Sequence, residues 1–384
     1  MVYLDHAAAT PVSTDVLAAM LPYYSEKFYN PSATYLLGRE ARADLESARK
    51  KVAGVLGVKP SEIIFTAGGT EANNLAVQGI LRHPALANDN CSVAVSGIEH
   101  DSVLKTTQLF NCSVALTTEK GRVDLEDLRQ KITDQTVLVS VMYANNEVGT
   151  VQPIRQIATL IQTIRAERSR NNNNLPLYLH TDACQAPNYL DMHVTRLGVD
   201  LMTLNGGKIY GPKQSGVLFV ASHVRLAPLI HGGGQERDLR SGTENVAQAI
   251  GFALALENAQ AQRKAESVRL AGLQRKIWSV IKKDMPSVRL NGSLHRRLPN
   301  NIHLTFSGHD NEKLLMQLEE AGFLVAVGSA CSASSEEPNH VLRAMGISGV
   351  DAQSSLRITL GRDTTESGID SFLAAIQNIV SANN

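Results

Sequence analysis

The chain has 384 residues, 43% of them apolar and 19% charged, which is ordinary for a globular protein of about two domains. Its formal net charge is zero and its pI is near 7.2, so nothing in the charge balance points to nucleic acid or an anionic membrane surface. No apolar stretch approaches the ~20 residues needed to span a bilayer, and MVYLDHAAATPV lacks the pattern of an export signal, so the expected location is the cytoplasm.

VYLDHAAATPV reads as a short strand and a Pro turn, with Ser13 capping a helix that runs to about Glu26. YNPSATY is a loop, and a helix from about Thr34 to Leu56 exits at Gly57. SEIIFTAGGTEANNLAVQGIL predicts strand, Gly-rich turn and a helix opening at Thr70 or Glu71. The alternation then repeats through CSVAVSG, IEHDSVLKTTQLF, CSVALTT, VDLEDLRQKI, TVLVSVMYANNEVG, PIRQIATLIQTIRAE and LPLYLHTDACQ. Such alternation predicts an α/β fold with a mostly parallel sheet flanked by helices, whose ligands sit outside the carboxyl ends of the strands. A long helix from about Thr243 to Lys282 leads into a smaller α+β C-terminal domain. The expected division is a large domain over residues 12–255 and a smaller one over 1–11 plus 256–384.

Four cysteines, Cys91, Cys112, Cys184 and Cys331, are far apart with no CxxC, which argues against a zinc site or a disulfide framework. The first three read as small buried apolar residues. Cys331 lies instead in GSACSASSEEPN, a small, polar stretch where a thiol is accessible.

The stretch LMTLNGGKIYGPKQSGVLFV sets a single lysine, Lys208, between two strands and two glycine-bearing turns. Lysine there can be a base or form a Schiff base with a carbonyl. Thr70, His100, Asn146, Asp182, Gln185 and Lys208 all follow predicted strand ends, which brings them to one sheet edge. Singly, Thr70 can be a helix cap, Asp182 a turn residue and His100 a partly buried polar group. Together, a helix start that holds phosphate, an anion facing a ring nitrogen, and a Schiff-base lysine describe a pyridoxal phosphate site.

YLDHAAATPV, NPSATY, FTAGGTEANNLA, EHDSVL, NNEVGTVQPI, HTDACQ, GGKIYGPK, HGGGQERDLRSGTENV, GSACSASSEEPNHVLRAMG and SLRITLGR follow the order found in the cysteine desulfurases, which the chain resembles along nearly its whole length. These are fold-type I pyridoxal phosphate enzymes close to the class V aminotransferases, and the GSAC stretch is similar to their long-loop branch. The resemblance implies removal of sulfur from L-cysteine to give L-alanine and a persulfide on Cys331. An acceptor protein, either an iron–sulfur scaffold or a tRNA-thiolating enzyme, would take that sulfur.

By the same resemblance Lys208 would be the Schiff-base lysine and Cα base, Asp182 the partner of the pyridinium nitrogen, and Gln185 the donor to the phenolic oxygen. His100 would lie over the ring, while Gly69, Thr70 and Asn205 would hold the phosphate and Asn146 would also touch the cofactor. Thr243 would reach the phosphate from a second subunit, making a homodimer. Asn30, Asn146 and Arg357 would receive the substrate. No resident metal is implied, although Cys331 could be a transient iron–sulfur ligand.

Two departures stand out. The family's Ser-x-His-Lys is Asn205-Gly206-Gly207-Lys208 here, which removes an imidazole beside the phosphate, and Gln214 replaces the glycine after GPK. Weaker cofactor retention is expected. Two other readings stay open: a related pyridoxal phosphate lyase or aminotransferase, which would not need Cys331, and a catalytically degenerate partner protein.

Overall fold

The structure, a computed structural model, describes residues 1–86, 90–328 and 339–382. Its strands are β1 (Val2–Tyr3), β2 (Ile63–Thr66), β3 (Ser92–Ser96), β4 (Asn111–Ala115), β5 (Thr136–Ser140) and β6 (Tyr178–Asp182). They continue with β7 (Leu201–Asn205), β8 (Gly216–Val220), β9 (Arg289–Leu290), β10 (Asn301–Thr305), β11 (Phe323–Leu324) and β12 (Ser355–Thr359).

Seven of them form one sheet in the order β2-β8-β7-β6-β5-β3-β4. All pairs are parallel except those of β8, which runs antiparallel to both β2 and β7. β2 and β7 therefore point the same way as the rest. The carboxyl ends of β2, β3, β5, β6 and β7 reach one edge.

The inner strands β3, β5 and β7 are largely apolar and buried because both faces are covered. Along β3, Ala94 packs into a cluster with Leu45, Val52, Ile157 and Phe252 on one face. Val93 and Val95 join Leu75, Ile80 and Leu138 on the other. The helix Leu36–Leu56 buries Ala41, Leu45, Ala48, Val52 and Leu56, one stripe at helical spacing, and ends at Gly57 with φ +69°.

A second core forms where β12-β10-β9, an antiparallel sheet, meets the helix Glu366–Ala382 and β1 pairs parallel with β11. The helix Val246–Asp284 links the two, with Phe252 and Leu256 in the first core and Leu270 and Ile277 in the second.

Several boundaries differ from the sequence expectation. The first helix is two, Thr14–Met20 and Pro22–Ser25, because Pro22 has no N–H to continue the first; Ser13 makes no side-chain capping bond. The helix after β2 opens at Gly69 rather than Thr70, capped by Gly68, and the long helix starts at Val246 with Asn245 as its cap.

Candidate active site

A cavity opens at this sheet edge. Its walls include Gly69 and Thr70 after β2, His100 after β3, Asn146 after β5, Asp182 and Gln185 from the end of β6, and Asn205 and Lys208 from the end of β7. Arg357 from β12 and the Ala7–Ala8 segment close it. Nine of the residues expected at the site, from Gly69 to Arg357, thus converge on this cavity.

The start of the helix Gly69–Leu81 presents bare backbone to this cavity. Gly68 sits at φ +137°, a conformation L side chains rarely adopt, and a Cβ on Gly69 would lie 2.8 Å from Cys184 Sγ. No side chain caps this helix, so its first N–H groups and the positive end of its dipole are available to an anion. Asn205 adds a donor. Its Oδ1 accepts from Gly207 N at 3.0 Å, which turns its amide nitrogen toward Gly69; that nitrogen would be 3.4 Å from a Cβ placed there.

Lys208 ends a tight turn, Gly206–Lys208, in which a Cβ on Gly206 would strike Ser215 Oγ. Its carbonyl accepts from Asn188 Nδ2 at 2.8 Å, and its Nζ donates to the carbonyls of Ala7, at 2.9 Å, and Ala8. Gln185 Nε2 donates to the same Ala7 carbonyl at 3.0 Å. The amine is thus held over the cavity by backbone oxygens on one side.

Asp182 is 6% exposed and fixed at both oxygens. Oδ1 accepts from Cys184 N at 2.9 Å and Oδ2 from Asn73 Nδ2 at 2.7 Å. The Asn73 amide also donates to Ser102 Oγ at 2.8 Å, and that hydroxyl stands 2.8 Å from His100 Nδ1. His100 Nδ1 accepts from Ser102 N as well, at 3.1 Å, as the cap of the helix Asp101–Thr107. With Nδ1 accepting, the neutral ring carries its proton on Nε2. A continuous polar chain, Asp182–Asn73–Ser102–His100, therefore fixes both the orientation of the Asp182 carboxyl group and the tautomer of His100.

Sequence reading missed Asn73, Ser102 and Cys184. Asn73 follows Gly69 by one helical turn, so its side chain returns to the same cavity, and Ser102 stands two residues past a capping histidine; both spacings were available. Cys184 is not simply a core residue, since it lines the cavity. Its enclosed position and the Asp182 carboxylate hold its thiol well above the usual range. By surface exposure Cys91, Cys112 and Cys184 are all half-buried, less enclosed than expected.

Asn30 lies away from this cavity, and Thr243, expected to reach the phosphate only from a second subunit, does not line this chain's own cavity. Thr243 lines a second cavity with Leu45, Phe65 and Glu236, and Asn30 Oδ1 accepts from Ser32 N at 2.8 Å within its own turn. Cys331 is outside the described residues. The chain on either side of it is tied to the site: Ala326 pairs with the backbone of Arg357, and His340 Nε2 lies 2.9 Å from the Glu99 carbonyl beside His100.

Residues 2–372 match the Aminotransferase class-V family. The chain belongs to the class-V aminotransferase family. Within it, the chain is 39% identical over 384 residues to a cysteine desulfurase of Dictyoglomus turgidum, covering 99% of this chain and 94% of that relative. A solved NifS-like protein superposes with a TM-score of 0.90 at 33% identity, covering 99% of both chains. A solved structure of SspA in complex with cysteine gives a TM-score of 0.78 at 32% identity, over 94% of this chain and 99% of that one. The α/β fold with its mostly parallel sheet is the fold these relatives share.

Gln214 adopts φ +59°, a left-handed conformation that costs a non-glycine residue about 1–2 kcal/mol. Gln214→Gly is therefore expected to stabilise the fold by roughly 0.5–1 kcal/mol after the added freedom of the unfolded chain is discounted. A urea unfolding midpoint that does not rise would contradict this.

Proposed function

We propose that the chain is a cysteine desulfurase that takes sulfur from L-cysteine, leaves L-alanine, and carries the sulfur as a persulfide on Cys331. The observation that carries this reading is the convergence of Lys208, Asp182, His100 and the bare Gly68–Gly69 cradle on one cavity. That donor set fits pyridoxal 5'-phosphate: helix-start amides, Thr70 and Asn205 for its phosphate, Asp182 for its ring nitrogen, Gln185 for its phenolic oxygen. When bound, the cofactor supplies an electron sink that acidifies Cα of an amino acid.

The chain's own groups do the rest. Lys208 Nζ takes and returns the Cα proton, His100 moves a proton from Nε2, and Asn146 and Arg357 receive the substrate carboxylate. The Cys331 thiolate attacks the substrate sulfur; the Cβ–S bond breaks, the S–S bond forms, and the carbon left behind is protonated to give alanine. Both flanks of Cys331 tie to Arg357 and Glu99, which supports this role.

The homodimer, a cytoplasmic location, the two-domain division and the acceptor, an iron–sulfur scaffold or a tRNA-thiolating enzyme, belong to the same reading. Among the described residues no helix is long and apolar enough to cross a membrane. Incubation with L-cysteine and a reductant tests the core of the proposal: sulfide and alanine should form in equal amounts, and alanine without sulfide would reject it.

Gly207 offers a second test. A Cβ there would meet nothing closer than Asn205 Oδ1 at 3.5 Å, so the backbone at this position accepts a Cβ. Gly207→His restores an imidazole donor and should slow cofactor loss on dialysis by about ten-fold, the worth of one charge-assisted hydrogen bond. Unchanged retention of the bound chromophore would show that Asn205 and the helix start already suffice.

A further inference from the structure

Asn146 and Arg357 line the cavity, and Glu147 stands behind both. Glu147 Oε1 accepts from Asn146 Nδ2 at 2.8 Å and from Arg357 Nη1 at 2.9 Å. The other terminal nitrogen, Arg357 Nη2, donates to Asp5 Oδ1 at 2.7 Å. Arg357, expected to receive the substrate, thus has both ends of its guanidinium already held. Nη1 also reaches the Asn146 carbonyl at 3.4 Å, so what remains is the second hydrogen of Nη2, the Nε, a buried donor with no hydrogen-bond partner among the described residues, and the second hydrogen of the Asn146 amide.

The turn bearing Glu147 cannot drift. Asn145 Oδ1 accepts from Glu147 N and Val148 N, both at 2.9 Å, while Asn145 Nδ2 donates to the Ile98 carbonyl at 3.0 Å. Asn301 Nδ2 donates to the Glu147 carbonyl at 2.9 Å. Gly149 closes the turn at φ +72°, where a Cβ would meet Asn301 Oδ1 at 2.7 Å. Glu147 itself is 1% exposed, and swinging it off Arg357 would leave a buried carboxylate without its cation.

We propose that Glu147 is a positioning residue for substrate recognition: one fixed oxygen aims the Asn146 amide and the Arg357 guanidinium together at the carboxylate of an α-amino acid. This rests on the desulfurase reading for the identity of the amino acid. Because Arg357 is matched by two carboxylates, Asp5 and Glu147, selection comes from directed N–H groups rather than from an unpaired positive charge. A ligand lacking the carboxylate oxygens loses those bonds.

The test is calorimetric binding of L-alanine and of L-alaninamide to the holoenzyme. Wild type should prefer the carboxylate. In Glu147→Ala that preference should shrink by at least about ten-fold, with the KM for L-cysteine rising more than kcat falls. Glu147→Gln keeps an acceptor oxygen at the same place and should stay within about three-fold of wild type. A Glu147→Ala enzyme that weakens both ligands equally, or keeps its preference, overturns the inference, as does a Gln variant that loses as much as the Ala variant. A wild type that prefers L-alanine yet releases no sulfide rejects the desulfurase reading alone, because binding is measured without turnover.

Discussion

Lys208→Ala is expected to lower sulfide release from L-cysteine by about a thousand-fold or more, within the range a positioned base and nucleophile contribute. The argument is geometric. Lys208 Nζ is fixed by the Ala7 and Ala8 carbonyls, and its main chain by the Gly206–Lys208 turn and Asn188, and among the described residues no other lysine lines the cavity. Arginine there would be too long and too basic to exchange a proton at neutral pH. Cys331→Ala should abolish sulfide equally but leave the bound chromophore unchanged, whereas Lys208→Ala should alter that chromophore. Parallel measurement of sulfide, alanine and the absorption spectrum separates the two roles. Sulfide release that survives Cys331→Ala would remove the persulfide from the mechanism.

The contrast between these two residues shows what the sequence made legible. Lys208 was readable because glycines and apolar runs bracket it, and the strand ends at Thr70, His100, Asp182 and Gln185 were readable from the same alternation. The reversed direction of β8 was not, since an apolar five-residue run such as GVLFV looks the same in either direction. Only the antiparallel pairing with β2 and β7 reveals it. The clamp on Arg357 was hidden for another reason: Asp5 and Arg357 are 352 residues apart, and no local pattern couples them. Glu147 lies in the motif NNEVG, where nothing local marks its role, because its partner Arg357 lies on β12. Local periodicity predicts which edge a residue reaches; it does not predict which charge it meets there.

Glu99 carries the second large effect, and it is a stability effect. The side chain is fully buried one residue before His100; Oε1 accepts from Ser96 Oγ at 2.5 Å and from Met142 N at 2.7 Å, and Oε2 has no hydrogen-bond partner among the described residues. Burial without a cation, which the Asp182 charge reinforces, pushes its carboxyl from an ordinary 4.5 up to about 8. Between those two values the unfolded chain ionises while the folded protein keeps the proton, so the folded state binds more protons and stability falls as pH rises. The contribution is fully present below about pH 4.5 and is lost progressively toward pH 8. At about 1.4 kcal/mol for each pH unit, the loss amounts to a few kcal/mol. Glu99→Gln cannot ionise, so its unfolding free energy should lack this decline, with the gap over wild type widening from pH 5 to pH 8. The carboxamide keeps an acceptor for Ser96 and Met142, which holds the His100 turn in place and makes pH the only variable. Denaturant unfolding of both proteins across that range decides it: parallel curves would mean that Glu99 is ionised in the folded protein at neutral pH, and that some cation compensates it there.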